Sequence, residues 1–308
     1  MAISLDSIVH VIKSAAQAKA TSEGTVRVAV YVDSSATPFL IDTVREALVP
    51  QTTSASVRVE RLEEEPAPVK EGTDAVLVLT SGSDFLQAAV GRLVAGGAPV
   101  AVLAESSVEV PFIHEDTRML ALICATDEAH LLGSLSRWIL DHTEKDTAFA
   151  ANFPFLRIAA SSRAIATCVG TNVATALLPW PAGADLPAMT VSQLDMLFQL
   201  AGIYGKPMDG HRAYEAAAVV ACAFGLRSVA RAATKDMGRG GVVVKTAIAG
   251  AGTFAMGLGL SSFYQRDIDY GPLDAVVGRV AGAARGAAGA ISSAVSRVQG
   301  RAGAGETA

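Results

Sequence analysis

Cysteine is scarce and scattered: Cys124, Cys168 and Cys222 are odd in number and far apart, which excludes a disulfide framework and any CxxC zinc or redox motif. That usage fits a reducing, cytoplasmic compartment. Charged residues are only 18% of the 308 and the hydrophobic set is 51%, so the chain is not intrinsically disordered, and globular and membrane-embedded readings both remain. The mean hydropathy of +0.37 owes much to Ala, which fills helices without being strongly apolar. No basic leader precedes the apolar residues of MAISLDSIVHVIKSAAQAKA, and Asp6, His10 and Lys13 break it, so it fails as a signal peptide. Leu5, Ile8, Val9, Ile12 and Ala16 instead share one helical face, which predicts an amphipathic helix within residues 1–25. His114, His130 and His142 show no metal-ligand spacing, and no metal or other cofactor is expected. No concentrated basic run or aromatic-interleaved patch appears, which argues against a nucleic-acid partner.

What is there divides in two. Residues 1–150 hold 11 Lys/Arg against 21 Asp/Glu, and residues 151–308 hold 14 against 9, an acidic half followed by a mildly basic one suited to anionic lipid or a partner. From Val26 onward, short apolar runs alternate with helical stretches, the signature of an α/β layer structure with a mostly parallel, doubly wound sheet. Strands are predicted at 26–32, 57–62, 74–80, 98–104 and 119–125, and helices at about 37–48, 84–95 and 127–141. The near-continuous Val/Leu character of the third and fourth strands implies burial on both faces. The strand pattern stops near residue 144, so 26–143 is expected to be one domain, 144–154 a linker, 155–270 an all-α domain and 271–308 an amphipathic helix with a disordered tail.

Ligands of such sheets bind beyond the carboxyl ends of the strands. There lie Asp33, Ser34 and Ser35, then Ser81, Ser83 and Asp84, then Glu105 and Ser106. One reading makes them a pocket for a small ligand or anion. The other is capping, because Ser35, Thr37 and Ser83 stand where helix N-caps belong. A phosphate loop is missing: DSSATPFL after the first strand has neither glycine nor lysine. The order of elements over 26–143, with DAVLVLTSGSD, APVAVLAESS and LICATDEAHLLGSLSRWILD, resembles the second half of an Era-type GTPase domain. Where that family carries NKxD and a Ser-Ala turn, this chain has Ala104-Glu105-Ser106-Ser107 and Cys124-Ala125-Thr126. The resemblance therefore implies a GTPase-like fold without nucleotide binding or hydrolysis, a pseudo-GTPase. The strand-end serines also lack a GxSxG context, and no catalytic residue is assigned.

Beyond residue 155 helices are predicted at 155–178, 191–204, 210–237, 242–265 and 272–299. Thr190 is the expected N-cap of the second, with Gln193 closing a capping box. The segment TNVATALLPWPAGADLPAMTVSQLDMLFQLAGIYGK resembles the YcjF-like membrane-associated family, a bacterial family of unassigned function that also occurs fused behind Era-type domains. Its polar residues Asn172, Asp185, Gln193 and Tyr204 read either as a binding cluster at an inter-helix mouth or as turn and cap residues. Residues 246–265 carry no charge, flanked by Lys245 and Arg266, a length just sufficient to span a bilayer. Ala247, Ala251, Ala255 and Gly259 place small residues at every fourth position, predicting a close-packing face.

The expectation is a non-enzymatic adaptor or scaffold on the cytoplasmic side of the cell membrane, held there peripherally or by a helical hairpin, and joined to itself or to a protein partner. The alternative is a cytoplasmic small-ligand or nucleotide sensor that uses the strand-end residues without hydrolysis.

Overall fold

The computed structural model describes residues 20–21, 23–178, 185–207, 209, 211–235 and 241–266. The expected N-terminal helix, the Pro179–Pro181 turn, residues 236–240 and the amphipathic segment 271–299 lie outside the described residues. The described residues up to Gln265 fall in one compact unit.

Five strands, β1 (Val26–Val32), β2 (Ala55–Arg61), β3 (Ala75–Leu79), β4 (Val100–Ala104) and β5 (Leu120–Cys124), form an all-parallel sheet in the order β2-β1-β3-β4-β5. The register sets Val30 against Val59 on one side and against Leu77 on the other. Every residue of β3 and β4 is buried, as their unbroken apolar runs require, while edge strand β2 alternates towards solvent. Helices cover both faces. Alternate strand residues Val28, Val30, Leu77, Leu79 and Leu103 pack with α1 (Pro38–Ala47) and α3 (Glu128–His142). The opposite set, Ala29, Tyr31, Val76, Val78 and Val102, packs with α2 (Leu86–Ala95) and Leu62.

The segment expected to be a linker, 144–154, holds a short helix, α4 (Asp146–Asn152), with six of its seven residues buried. Phe149, Phe153 and Leu156 enter the same core as Leu135 and Ile139 of α3. Asn152, wholly buried, ties α4 to the loop before β2: its carbonyl oxygen accepts from Gln51 N at 3.0 Å, its Oδ1 from Thr52 Oγ1 at 2.6 Å. At the other end of α4, Lys145 Nζ meets Asp74 Oδ1 at 2.7 Å and donates to Thr25 O at 2.8 Å.

Four longer helices follow: α5 (Arg157–Leu177), α6 (Asp185–Ile203), α7 (His211–Thr234) and α8 (Gly241–Gln265). They make the helical region that succeeds the α/β layers. Helix α6 starts five residues before the expected cap, so Thr190 and Gln193 stand inside the helix and no capping box forms there. Pro187, in the first turn, is compatible with that earlier start because its missing N–H needs no intrahelical partner. Helix α8 also turns differently from expectation. Ala247, Ala251, Ala255 and Gly259 are exposed, and the small row that packs is Gly250, Thr253, Gly257 and Ser261. A Cβ on Gly257 would stand 2.6 Å from Ile165 Cγ1, so only glycine lets α8 approach α5 this closely.

Candidate functional site

The loops after β1 and β3 adjoin where the strand order reverses, and the structure brings Asp33, Ser34, Ser35, Ser81 and Ser83 together there. Asp33 is 1% exposed. Its Oδ2 accepts from Thr80 Oγ1 at 2.7 Å, and its Oδ1 from Ser35 N at 3.3 Å and Ser34 Oγ at 3.4 Å. Ser35 Oγ in turn accepts from Ser81 N at 3.0 Å, and Thr80 Oγ1 from Gly82 N at 2.9 Å. Burial pushes the Asp33 carboxyl up, but Thr80, the nearby Ser83 hydroxyl and Ser35 outweigh it and hold the group below its ordinary value. Ser83 Oγ stands close enough to favour the charge yet outside hydrogen-bond geometry, and among the described residues Ser81 Oγ likewise meets no partner.

Gly82, at φ +90°, completes the turn; a Cβ there would lie 2.7 Å from Glu109 O. That contact brings the loop after β4 alongside. Ser106 caps the short 3-10 turn Ser107–Glu109, and Glu109 Oε2 reaches back to the amides of Glu105 and Ser106 at 3.1 and 3.3 Å. Thr37, not Ser35 or Ser83, caps its helix, accepting from Leu40 N at 3.4 Å. Asp84 is exposed and takes no part in this network. The carboxylate is thus spent on holding two loops together. Thr80, the organising hydroxyl, reads in sequence as the last residue of a strand.

A second polar group lies within the helices. Asn172 on α5 and Gln193 on α6 both donate to Thr253 Oγ1 of α8, at 2.9 and 3.2 Å. All three are at most 3% exposed. Among the described residues neither Asn172 Oδ1 nor Gln193 Oε1 finds a donor. Beside them Cys168 Sγ stands 3.3 Å from Ser192 O and Oγ, and burial pushes its thiol up. Of the four polar residues singled out in sequence, Asn172 and Gln193 meet, and Asp185 begins α6. Tyr204 lies eleven residues beyond Gln193, about 16 Å along the helix at 1.5 Å per residue. It belongs to a different cluster, its ring centroid 6.0 Å from that of Tyr264 with the planes tilted by 42°, and its hydroxyl accepts from Gln265 Nε2 at 3.0 Å. There Arg212 Nη1 and Tyr264 OH each donate to Glu215 Oε2 at 2.5 Å, and Arg212 lies 5.3 Å above the Tyr264 ring. In sequence Thr253 reads only as one of several hydroxyls in an apolar run, and Arg212, Glu215 and Tyr264 only as scattered helix residues.

Helices α7 and α8 carry an inverted pattern. The inward residues are mostly small or polar, Arg212, Glu215, Ala223, Gly250, Thr253, Gly257 and Ser261, with Val219 and Tyr264 the large ones among them, whereas Phe224, Val229, Val243, Phe254 and Leu258 are 46–71% exposed. By length and mean hydropathy alone both helices meet the requirement for crossing a membrane, yet only 11% and 17% of their most apolar stretches are buried. Small and polar groups inside with large apolar groups outside is the reverse of a water-facing bundle.

No family model, no curated protein and no solved structure matches the chain.

Proposed function

We propose that the protein is a membrane-attached, non-catalytic adaptor whose α7–α8 hairpin provides the attachment and whose α/β layers are displayed on the cytoplasmic side. The observation that carries this reading is the exposed apolar side of α7 and α8, larger in character than the scattered apolar residues of an ordinary surface. The sequence resemblance of residues 171–206 to the YcjF-like family points the same way. The strand-end network supports an adaptor rather than an enzyme or sensor, because Asp33 is engaged by its own chain.

Attachment is to the interface rather than across the bilayer. Residues 246–265 of α8 offer 20 charge-free positions, about 30 Å of helix. Arg227 and Arg231 leave α7 only residues 216–226, about 16 Å, too short for a return crossing. A hairpin lying in the interface buries Phe224, Phe254 and Leu258 and keeps these arginines at the headgroups.

Fractionation of expressing cells tests this. The protein is expected in the membrane pellet, resistant to high salt and released by alkaline carbonate. Release by detergent alone would replace interfacial attachment with a true crossing. Recovery wholly in the soluble fraction would overturn the reading.

A further inference from the structure

An open groove of about 810 Å³ runs between α3 and α5. Leu132, Leu140, Phe155 and Ala159 give it an apolar lining, and Ile158 stands on its border 72% exposed. Gly133 keeps one wall open, because a Cβ there would meet nothing within 4 Å. Along α3 the lining runs from residue 129 to residue 141, about 18 Å of helix. The chain enters β1 from one end of this groove. Ala20 and Thr21 are helical, and Gly24 N donates to Thr21 O at 3.3 Å. Thr25 O accepts from Lys145 Nζ at 2.8 Å, and a Cβ on Gly24 would stand 3.7 Å from that of Ala148, so this stretch lies against the start of α4. Next to Lys145, Asp146 Oδ2 is 3.6 Å from Nη1 of Arg163, a groove residue that also meets Asp141 at 3.3 Å. The helical residues 20–21 are therefore only a few residues of chain from the end of the groove that Asp141 and Arg163 mark.

We infer that the groove is the docking site of the chain's own N-terminal segment, which lays the apolar face of residues 5–16 between α3 and α5. The inference is independent of the membrane reading above. Three matches carry it. The first is spacing: Leu5, Ile8, Val9 and Ile12 follow the i, i+3, i+4, i+7 pattern by which an amphipathic helix fills an apolar groove. The second is length, since Leu5 to Ala16 covers about 17 Å of helix against about 18 Å of groove. The third is position. A segment that must end beside α4 enters at Asp141 and Arg163 and runs in the direction of α3, which sets Ala16 near Leu140 and carries Ile8 and Leu5 towards Leu132 and Phe155. A helix this short is marginal in water by itself, and burial of its apolar face supplies what local propensity does not. Tethering adds to this, because a segment joined through residues 20–25 meets the groove at an effective concentration that a free helix of another protein does not reach.

Disulfide scanning of the full-length protein tests the docking. Gly133→Cys, at a position with room for a side chain, is combined in turn with cysteine at Ser7, Ile8, Val9, His10 and Ile12, after Cys124 and Cys222 are replaced by alanine. Oxidation is carried out in unfractionated lysate, so the readout does not depend on whether the protein is found with membrane. The best pair among Ile8, Val9 and Ile12 should form an intramolecular disulfide at least fivefold faster than the pairs with Ser7 and His10, which lie off the apolar face. Adding Leu5→Asp and Ala16→Asp to that pair should lower its rate to the level of the Ser7 pair, while circular dichroism shows that the remaining helices persist. Rates without a preferred face, or a preferred pair that survives the two aspartates, would overturn the docking. Disulfides that join two chains rather than close one would assign the groove to the N-terminal segment of a second copy and overturn the intramolecular assignment. Absence of any disulfide at Gly133→Cys, with the same cysteines reacting freely with maleimide, would leave the groove empty and overturn it as well.

Discussion

Asp33 illustrates how a single buried charge is made tolerable. A carboxylate removed from water is costly unless its oxygens are met by donors, and Thr80, Ser34 and Ser35 meet both of them. Because its folded-state value lies below the ordinary carboxyl value, the stabilisation it contributes is complete above the usual carboxylate range and disappears as pH falls through the depressed value. Asp33→Asn should therefore cost about 1.5–3 kcal/mol at neutral pH, in line with hydrogen bonds to a charged group, and much less in acid. Urea unfolding at several pH values reads the difference, and a pH-independent cost would discount the charge. Gly257 sets the second residue-scale constraint. Gly257→Val forces a branched side chain against Ile165, and overpacking of this kind should destabilise the helical region by about 1–3 kcal/mol.

The elements show why pattern alone misplaces some boundaries. Helix α4 is seven residues long and buried on nearly every side, so it has no polar face and no periodicity to advertise it. TEKDTAFAANFPF consequently reads as a linker. Phe149→Ala should cost about 3–5 kcal/mol, the loss expected of a core phenylalanine, as measured by denaturant midpoint; a loss below 1 kcal/mol would mean that α4 is not part of the core. Helix α8 poses the opposite problem, for it has small residues all round and two rows that satisfy the same spacing. The row containing Thr253 turns inward because Asn172 and Gln193 offer it hydrogen bonds, and Phe254 and Leu258 then point out. Cys222, exposed on α7, reports on that apolar side. A maleimide probe should label it in the lipid-free protein and be excluded severalfold once vesicles are bound. Unchanged labelling would place α7 away from the bilayer.

For the whole molecule the decisive feature is a core that does not stop at the sheet. Val28, Leu77 and Leu103 of the strands share one apolar cluster with Phe149, Leu156, Leu197 and Leu200 of the helices. Calorimetry of the full chain is expected to show one cooperative transition, and two separable ones would mean independent domains. A chain ending at residue 143 would lose Phe149, Phe153 and Leu156 and bare the α3 face that carries Leu135 and Ile139, and is expected to aggregate rather than stay soluble.

The sequence by itself determined the five strands, their separation by helices, and the burial of β3 and β4, because alternation and unbroken Val/Leu runs are local consequences of which faces must be dry. It also located Asp33, Ser35, Asn172 and Gln193 as residues of interest. Only the tertiary structure decided what they do: which hydroxyl meets Asp33, that Gln193 is an inward helix residue rather than a cap, and which of two small rows on α8 is packed. These outcomes depend on partners 45 to 81 residues away in the chain, such as Thr80 for Ser35 and Thr253 for Asn172. Local propensity carries no information about a partner at that distance; satisfaction of buried polar groups and close packing do.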